Sequence, residues 1–171
     1  ADAVQIFTAA VKGPLLVMKQ AWNAPPNTVH PFVRPSEWGV PGNVIAVNRF
    51  SLRPDEALVI TLVPSGANYL GVQLTDPWSR SVDCWTHTSS LSDHQAVANA
   101  DGSITYIVSA TDPGYHNWLD TGGLRDGLIL VRWELFAQPL AANGADTLVR
   151  AARVVPLAEL AAALPPGTRT M

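Results

Sequence analysis

Apolar and polar positions alternate in two different rhythms along this chain. Near the start, Val4, Phe7, Val11, Leu15 and Met18 recur at helical spacing, which puts them on one face. Asp2 precedes them as a suitable N-cap, because its carboxylate accepts from the free amides of a first turn. Gly13-Pro14 interrupts the rhythm, so the pattern predicts a helix over 3–12 and a further turn or two over 14–21. The plain role of such a stripe is packing against a core.

After Asn43 the rhythm becomes strand-like. Val44 to Val47 leads into Asn48-Arg49-Phe50, and Arg53-Pro54-Asp55-Glu56 follows as a turn. Ala57 to Val63 is apolar and β-branched on both faces, which predicts a central buried strand. Tyr69 to Leu74 alternates, with Leu70, Val72 and Leu74 on one side. Ser81 to Trp85 reads as a further strand after the Asp76-Pro77 turn, and residues 86–100 read as polar and irregular. Asp101-Gly102 is a hairpin signal ahead of a strand over Ile104 to Ser109. Leu128 to Leu135 and Leu148 to Val155 are the last strands, with a turn at Asn143-Gly144 between them. Pro156 opens a short helix carrying Leu157, Leu160 and Leu164, and Pro165-Pro166-Gly167 ends it.

Roughly six or seven strands about ten residues apart predict a mainly β fold, an antiparallel jelly-roll-like β-sandwich. It carries an N-terminal helix and a short C-terminal helix. The chain divides into a helix and proline-rich connection over 1–42, a sandwich core over 43–155 and a helix and tail over 156–171, all one domain. Residues 22–42 hold Pro25, Pro26, Pro31, Pro35 and Pro41, an extended run that either wraps the surface or drapes over a partner.

Composition narrows the picture. With 171 residues, 47% apolar and 15% charged, the chain is long enough for one real core. Its 14 prolines and 12 glycines favour short elements over a helical bundle. A net charge of -3 carries no basic footprint, which argues against nucleic acid as a partner. Cys84 is the single cysteine, so no internal disulfide forms, which fits a reducing, cytoplasmic setting. No apolar run reaches the ~20 residues of a membrane span.

The run from Ser51 to Phe136 contains Leu52-Arg53-Pro54-Asp55-Glu56-Ala57-Leu58-Val59-Ile60, Tyr69-Leu70-Gly71-Val72-Gln73-Leu74 and Ser81-Val82-Asp83. Ser90-Leu91, His94-Gln95-Ala96, Asp101-Gly102 and Asp112-Pro113-Gly114 follow, then Asn117-Trp118-Leu119-Asp120-Thr121-Gly122-Gly123 and Arg132-Trp133. In that order, over half the chain, these segments resemble a bacterial family known as domain of unknown function 1214. The resemblance implies a jelly-roll sandwich that often forms the C-terminal half of longer proteins, some with a partner domain of unknown function 1254. It implies no activity and no catalytic residue. The Gly122-Gly123 ending is richer in glycine than the family's pattern.

The segment 112–123 concentrates turn formers and hydrogen-bonding side chains in a long connection, where binding residues gather. In one reading, Asn117 and Asp120 face a small polar or amphipathic ligand, with Trp118 as a stacking platform and His116 and Thr121 beside them. In the other, Asn117 and Asp120 bond loop amides while Trp118 and Leu119 plug the end of the core. Asp83 and Arg132 lie in apolar surroundings, so if they face each other they form a buried ion pair. A hydrolase or lyase using Asp120 and His116 is the alternative function, and an assembly module for a partner chain or a second copy is a third. His87 and His94 are not spaced as zinc ligands, so no metal and no cofactor is expected.

Overall fold

A computed structural model describes residues 3–33, 42–138, 140 and 144–171. Asp2, Pro35, Trp38, Pro41, Pro139 and Asn143 lie outside the described residues, as does the cap expected at Asp2. The chain runs α1 (Ala3–Asn23), β1 (Phe32–Val33), β2 (Val44–Ser51), β3 (Glu56–Leu62) and β4 (Ala67–Thr75). Then come β5 (Ser90–Ser92), β6 (Ile104–Ser109), β7 (Trp118–Asp120), β8 (Asp126–Phe136) and β9 (Val149–Pro156). A 3-10 turn at Leu157–Glu159 leads into α2 (Leu160–Ala163).

The strands form a β-sandwich. One sheet has the order β1-β2-β8-β4-β5 and the other β7-β6-β3-β9. The chain crosses between sheets at β2–β3, β3–β4, β5–β6, β7–β8 and β8–β9, the criss-cross habit of jelly rolls. Every pairing is antiparallel except β6 with β7, which is parallel. Alternation explains the filling. In β2 every second residue is buried from Val44 to Phe50, and in β4 Leu70, Val72 and Leu74 point inward. They meet Leu58, Ile60 and Leu62 of β3 with Ile104, Tyr106 and Val108 of β6. Trp133 of β8 is fully buried among them, and its indole Nε1 donates to the Val63 carbonyl at 3.0 Å.

β3 is apolar on both faces because both are covered. Ala57 and Val59 look outward and pack with Ile107 and Leu160, so α2 and its 3-10 turn roof the second sheet. The residues that precede β1 are strapped to β2. Asn27 donates to the Ser51 carbonyl at 2.8 Å and accepts from its amide at 2.9 Å, and Val29 enters the core. Asn27 and Val29 of the proline-rich connection thus pack on their own domain.

Three expectations need correction. α1 continues through Gly13-Pro14 as one helix, because a proline removes a single backbone donor and strains one turn while the ladder on either side persists. Its apolar stripe is not a packing face along its length: Ala21 is buried, but Val4, Val11, Leu15 and Leu16 are exposed. Residues 81–85 are not a strand. Asp76 accepts from the amides of Trp78 and Arg80, and Asp83 accepts from that of Trp85, which turns the backbone instead of extending it. No helix among the described residues is long and apolar enough to cross a membrane.

Candidate functional site

Asn117 begins the site as a structural residue. Its backbone sits at φ 63°, a left-handed conformation that asparagine tolerates better than most. Its side chain accepts from the Val97 amide at 2.7 Å and donates to the carbonyls of Val97 and Thr105 at 2.8 and 3.0 Å. Its amide oxygen and both of its amide hydrogens are thus engaged by backbone. Trp118 is half-buried and ties its indole to the Ser109 carbonyl at 3.2 Å. Leu119 enters the core, and Thr121 is fully buried, which removes it from any surface site. Asn117, Trp118 and Leu119 thus sit as the plug reading has them.

Asp120 bonds a loop amide as that reading has it, and also reaches a histidine. One carboxylate oxygen accepts from the Gly122 amide at 2.8 Å, and the other lies 2.7 Å from His87 Nδ1. The Asp120 amide also donates to the Thr88 carbonyl at 2.8 Å. These bonds clamp the 83–89 turn onto β7. Glycine is needed next door. Gly122 has φ 61°, and a Cβ there would come within 2.7 Å of Val82 Cγ1 and 3.5 Å of the His87 ring.

The 83–89 turn is built on Asp83. Its carboxylate accepts from the Thr86 hydroxyl at 2.7 Å and the Trp85 amide at 3.0 Å. The Thr86 hydroxyl first, then that amide, hold the Asp83 carboxyl below the usual carboxylate range. Above the turn opens a shallow cleft of about 300 Å³, lined by residues 84–91 and Gln95, including Trp85, His87 and Thr88. With Nδ1 held by Asp120, the imidazole keeps Nε2 as its remaining hydrogen-bonding atom.

The expected residues are thus divided between places. His116 lines a different cleft, with Asn99 and the tail residues Pro166 to Arg169, and its amide donates to the Arg169 carbonyl at 2.9 Å. Asp120 pairs with His87 and not with His116. Asp83 and Arg132 do not form the buried ion pair. Both are exposed, since Arg132 sits at an outward position of β8 opposite Gly71, and Asp83 lies in a surface turn. His87 and Trp85 were missed as partners of the motif. The cue available in the sequence was Asp83-x-x-Thr86, the side-chain cap of a tight turn that sets a histidine at its end.

No protein-family model matches the chain, and no curated protein does. Among solved structures it is similar to an uncharacterised protein from Burkholderia cenocepacia, with 35% identity and a TM-score of 0.70 over 84% of this chain. The match spans only 39% of that protein's length. A weaker likeness, 15% identity with a TM-score of 0.48, covers 70% of this chain and 32% of the VPA0106 protein from Vibrio parahaemolyticus. The chain thus spans about two fifths of the length of the Burkholderia protein it matches.

Proposed function

We propose that this domain binds a small polar ligand in the cleft above the 83–89 turn, with His87 as the principal polar contact. The observation that carries the reading is the 2.7 Å contact between His87 Nδ1 and Asp120. A carboxylate that fixes one ring nitrogen sets the tautomer and direction of the other, the arrangement proteins use to present an imidazole. A hydrolase or lyase is less favoured by the same geometry. Among the described residues neither Cys84 nor any hydroxyl is hydrogen-bonded to His87, so the pair has no side-chain nucleophile to activate for covalent catalysis. We further propose membership of the domain of unknown function 1214 family. It is supported by the roles of its motif residues, because Asn117 and Asp120 each do here what few other residue types can.

The test is a fragment screen by two-dimensional NMR on the full chain and on His87→Ala. Hits should perturb amides within 84–95 and lose most of their affinity in the variant. Hits confined to other surfaces, or equal affinity in His87→Ala, would remove the reading.

A second reading, an interaction module, is favoured by the exposed Val4, Val11, Leu15 and Leu16 of α1. Its occupant is a further domain of a longer chain, since the match spans only 39% of the Burkholderia protein's length. Leu15→Glu with Leu16→Glu should leave the sandwich folded and abolish binding of a hydrophobic dye to α1. Concentration-dependent dimerisation in sedimentation, lost in that variant, would assign the face to a second copy.

A further inference from the structure

The cleft above the 83–89 turn is lined by Trp85, Thr86, His87, Thr88, Ser90 and Gln95, with Cys84, Ser89 and Leu91 around them. That set has a definite chemistry. It contains no ammonium or guanidinium to hold an anion, and no carboxylate to hold a cation. The carboxylates that flank the lining residues in the chain, Asp83 and Asp93, and Asp120 behind His87 are all engaged, Asp93 by the Leu70 amide at 3.4 Å. Asp83 is held by Thr86 and the Trp85 amide, and Asp120 by His87 and the Gly122 amide. A charged ligand entering here would lose its hydration without a counter-charge, which disfavours it.

The polar atoms that remain are directional, and none belongs to a permanently charged group. Among the described residues, the hydroxyls of Thr88 and Ser90, Gln95 Nε2 and His87 Nε2 have no hydrogen-bond partner, although Gln95 Oε1 is fixed by the Ser92 amide and hydroxyl at 3.0 Å each. Beside them Trp85 is 94% exposed, a large flat apolar face in water at the edge of a hydroxyl-lined cleft. An aromatic plane next to uncharged donors and acceptors suits a ligand with one apolar face and a polar rim. We infer that the cleft takes a neutral, hydroxyl-rich ligand, a sugar ring stacked on Trp85 with its hydroxyls on His87, Thr88 and Gln95. This rests on the reading of the cleft as the ligand site and adds the class of ligand.

The experiment titrates the full chain with maltotriose, cellotriose and N,N′,N″-triacetylchitotriose, and in parallel with glucose 6-phosphate and glucosamine. Tryptophan fluorescence and the NMR signals of the Trp85 indole and Thr88 amide are followed. At least one neutral saccharide should bind. Trp85→Ala should weaken it roughly threefold to tenfold, the range for loss of one aromatic face. Trp78→Ala removes another exposed tryptophan outside the cleft and should change nothing. Trp85 is so exposed that its removal leaves the fold intact, as the melting curve will show. If only the phosphate or the amine binds, and does so through His87, the cleft stands as a site but the neutral-sugar assignment falls. A saccharide that binds equally well to Trp85→Ala also overturns the assignment. If none of the five probes moves the Trp85 or Thr88 signals, the assignment falls, and the fragment screen with His87→Ala decides the cleft separately.

Discussion

Asn117 and Asp120 stand three residues apart in one segment, carry side chains of nearly the same shape, and have opposite fates. Asn117 turns inward and is consumed by three bonds to the backbone of Val97 and Thr105. Asp120 turns toward another turn of the chain and holds a titratable ring. The difference is one of partners. A backbone amide or carbonyl needs a permanent bond once it is buried, so the residue that serves it becomes part of the frame. A histidine at a cleft edge needs orientation only, so the residue that serves it becomes part of a site.

The contrast sets the order of expected effects. Asn117→Ala strips three part-buried bonds to the Val97 amide and carbonyl and the Thr105 carbonyl, so urea unfolding should show a loss of about 3 kcal/mol. Next is Gly122→Ala, which combines a positive φ with a methyl pressed against Val82 Cγ1 at 2.7 Å. A loss of roughly 2 kcal/mol is expected, with His87 displaced in NMR. If Gly122→Ala left both stability and the His87 signals unchanged, the clamp between the two segments would not exist. Thr121→Val is expected to stabilise, by about 1 kcal/mol, because the Thr121 hydroxyl is buried with no hydrogen-bond partner among the described residues. A fall in melting temperature would reveal a partner for that hydroxyl.

The mildest test lies away from the site. Asp101 is held by the Ser103 hydroxyl and amide and by Arg150, which ties the turn before β6 to β9. Those bonds lower its carboxyl from 3.8 to about 2, the Ser103 hydroxyl contributing most. A depressed carboxyl stabilises the fold above its unfolded value and loses that contribution as pH falls through its folded value. The melting temperatures of the protein and of Asp101→Asn should therefore differ at pH 5 and converge between about pH 4 and 2. A constant gap across that range would mean the bonds do not depend on the charge.

Much of the sandwich is legible in the chain. Ile104 to Ser109 matches β6 at both ends, and Leu128 to Leu135 falls inside β8. The apolar run at 57–63 does lie central and buried on both faces. These are signals of neighbours within a strand, where alternation and turn residues act over a few positions. The same local logic failed at 81–85, where β-prone Val82 and Trp85 are outweighed by the turn-forming carboxylate of Asp83. It also failed along α1, where helical spacing states that a face is apolar and says nothing of whether anything covers it.

The candidate site was half visible for the same reason. That 112–123 would be hydrogen-bond-rich and anchored by Asn117 and Asp120 follows from composition and turn chemistry. That Asp120 meets His87, 33 residues earlier, does not. The meeting requires β7 to lie parallel beside β6 and the 83–89 turn to fold against it, held by the Asp120 amide on Thr88. Short-range patterning set the strands and their buried faces, because each depends on residues a few positions away. The pairing of distant side chains came from packing two sheets together, because contacts across long loops leave no period in the chain to be read.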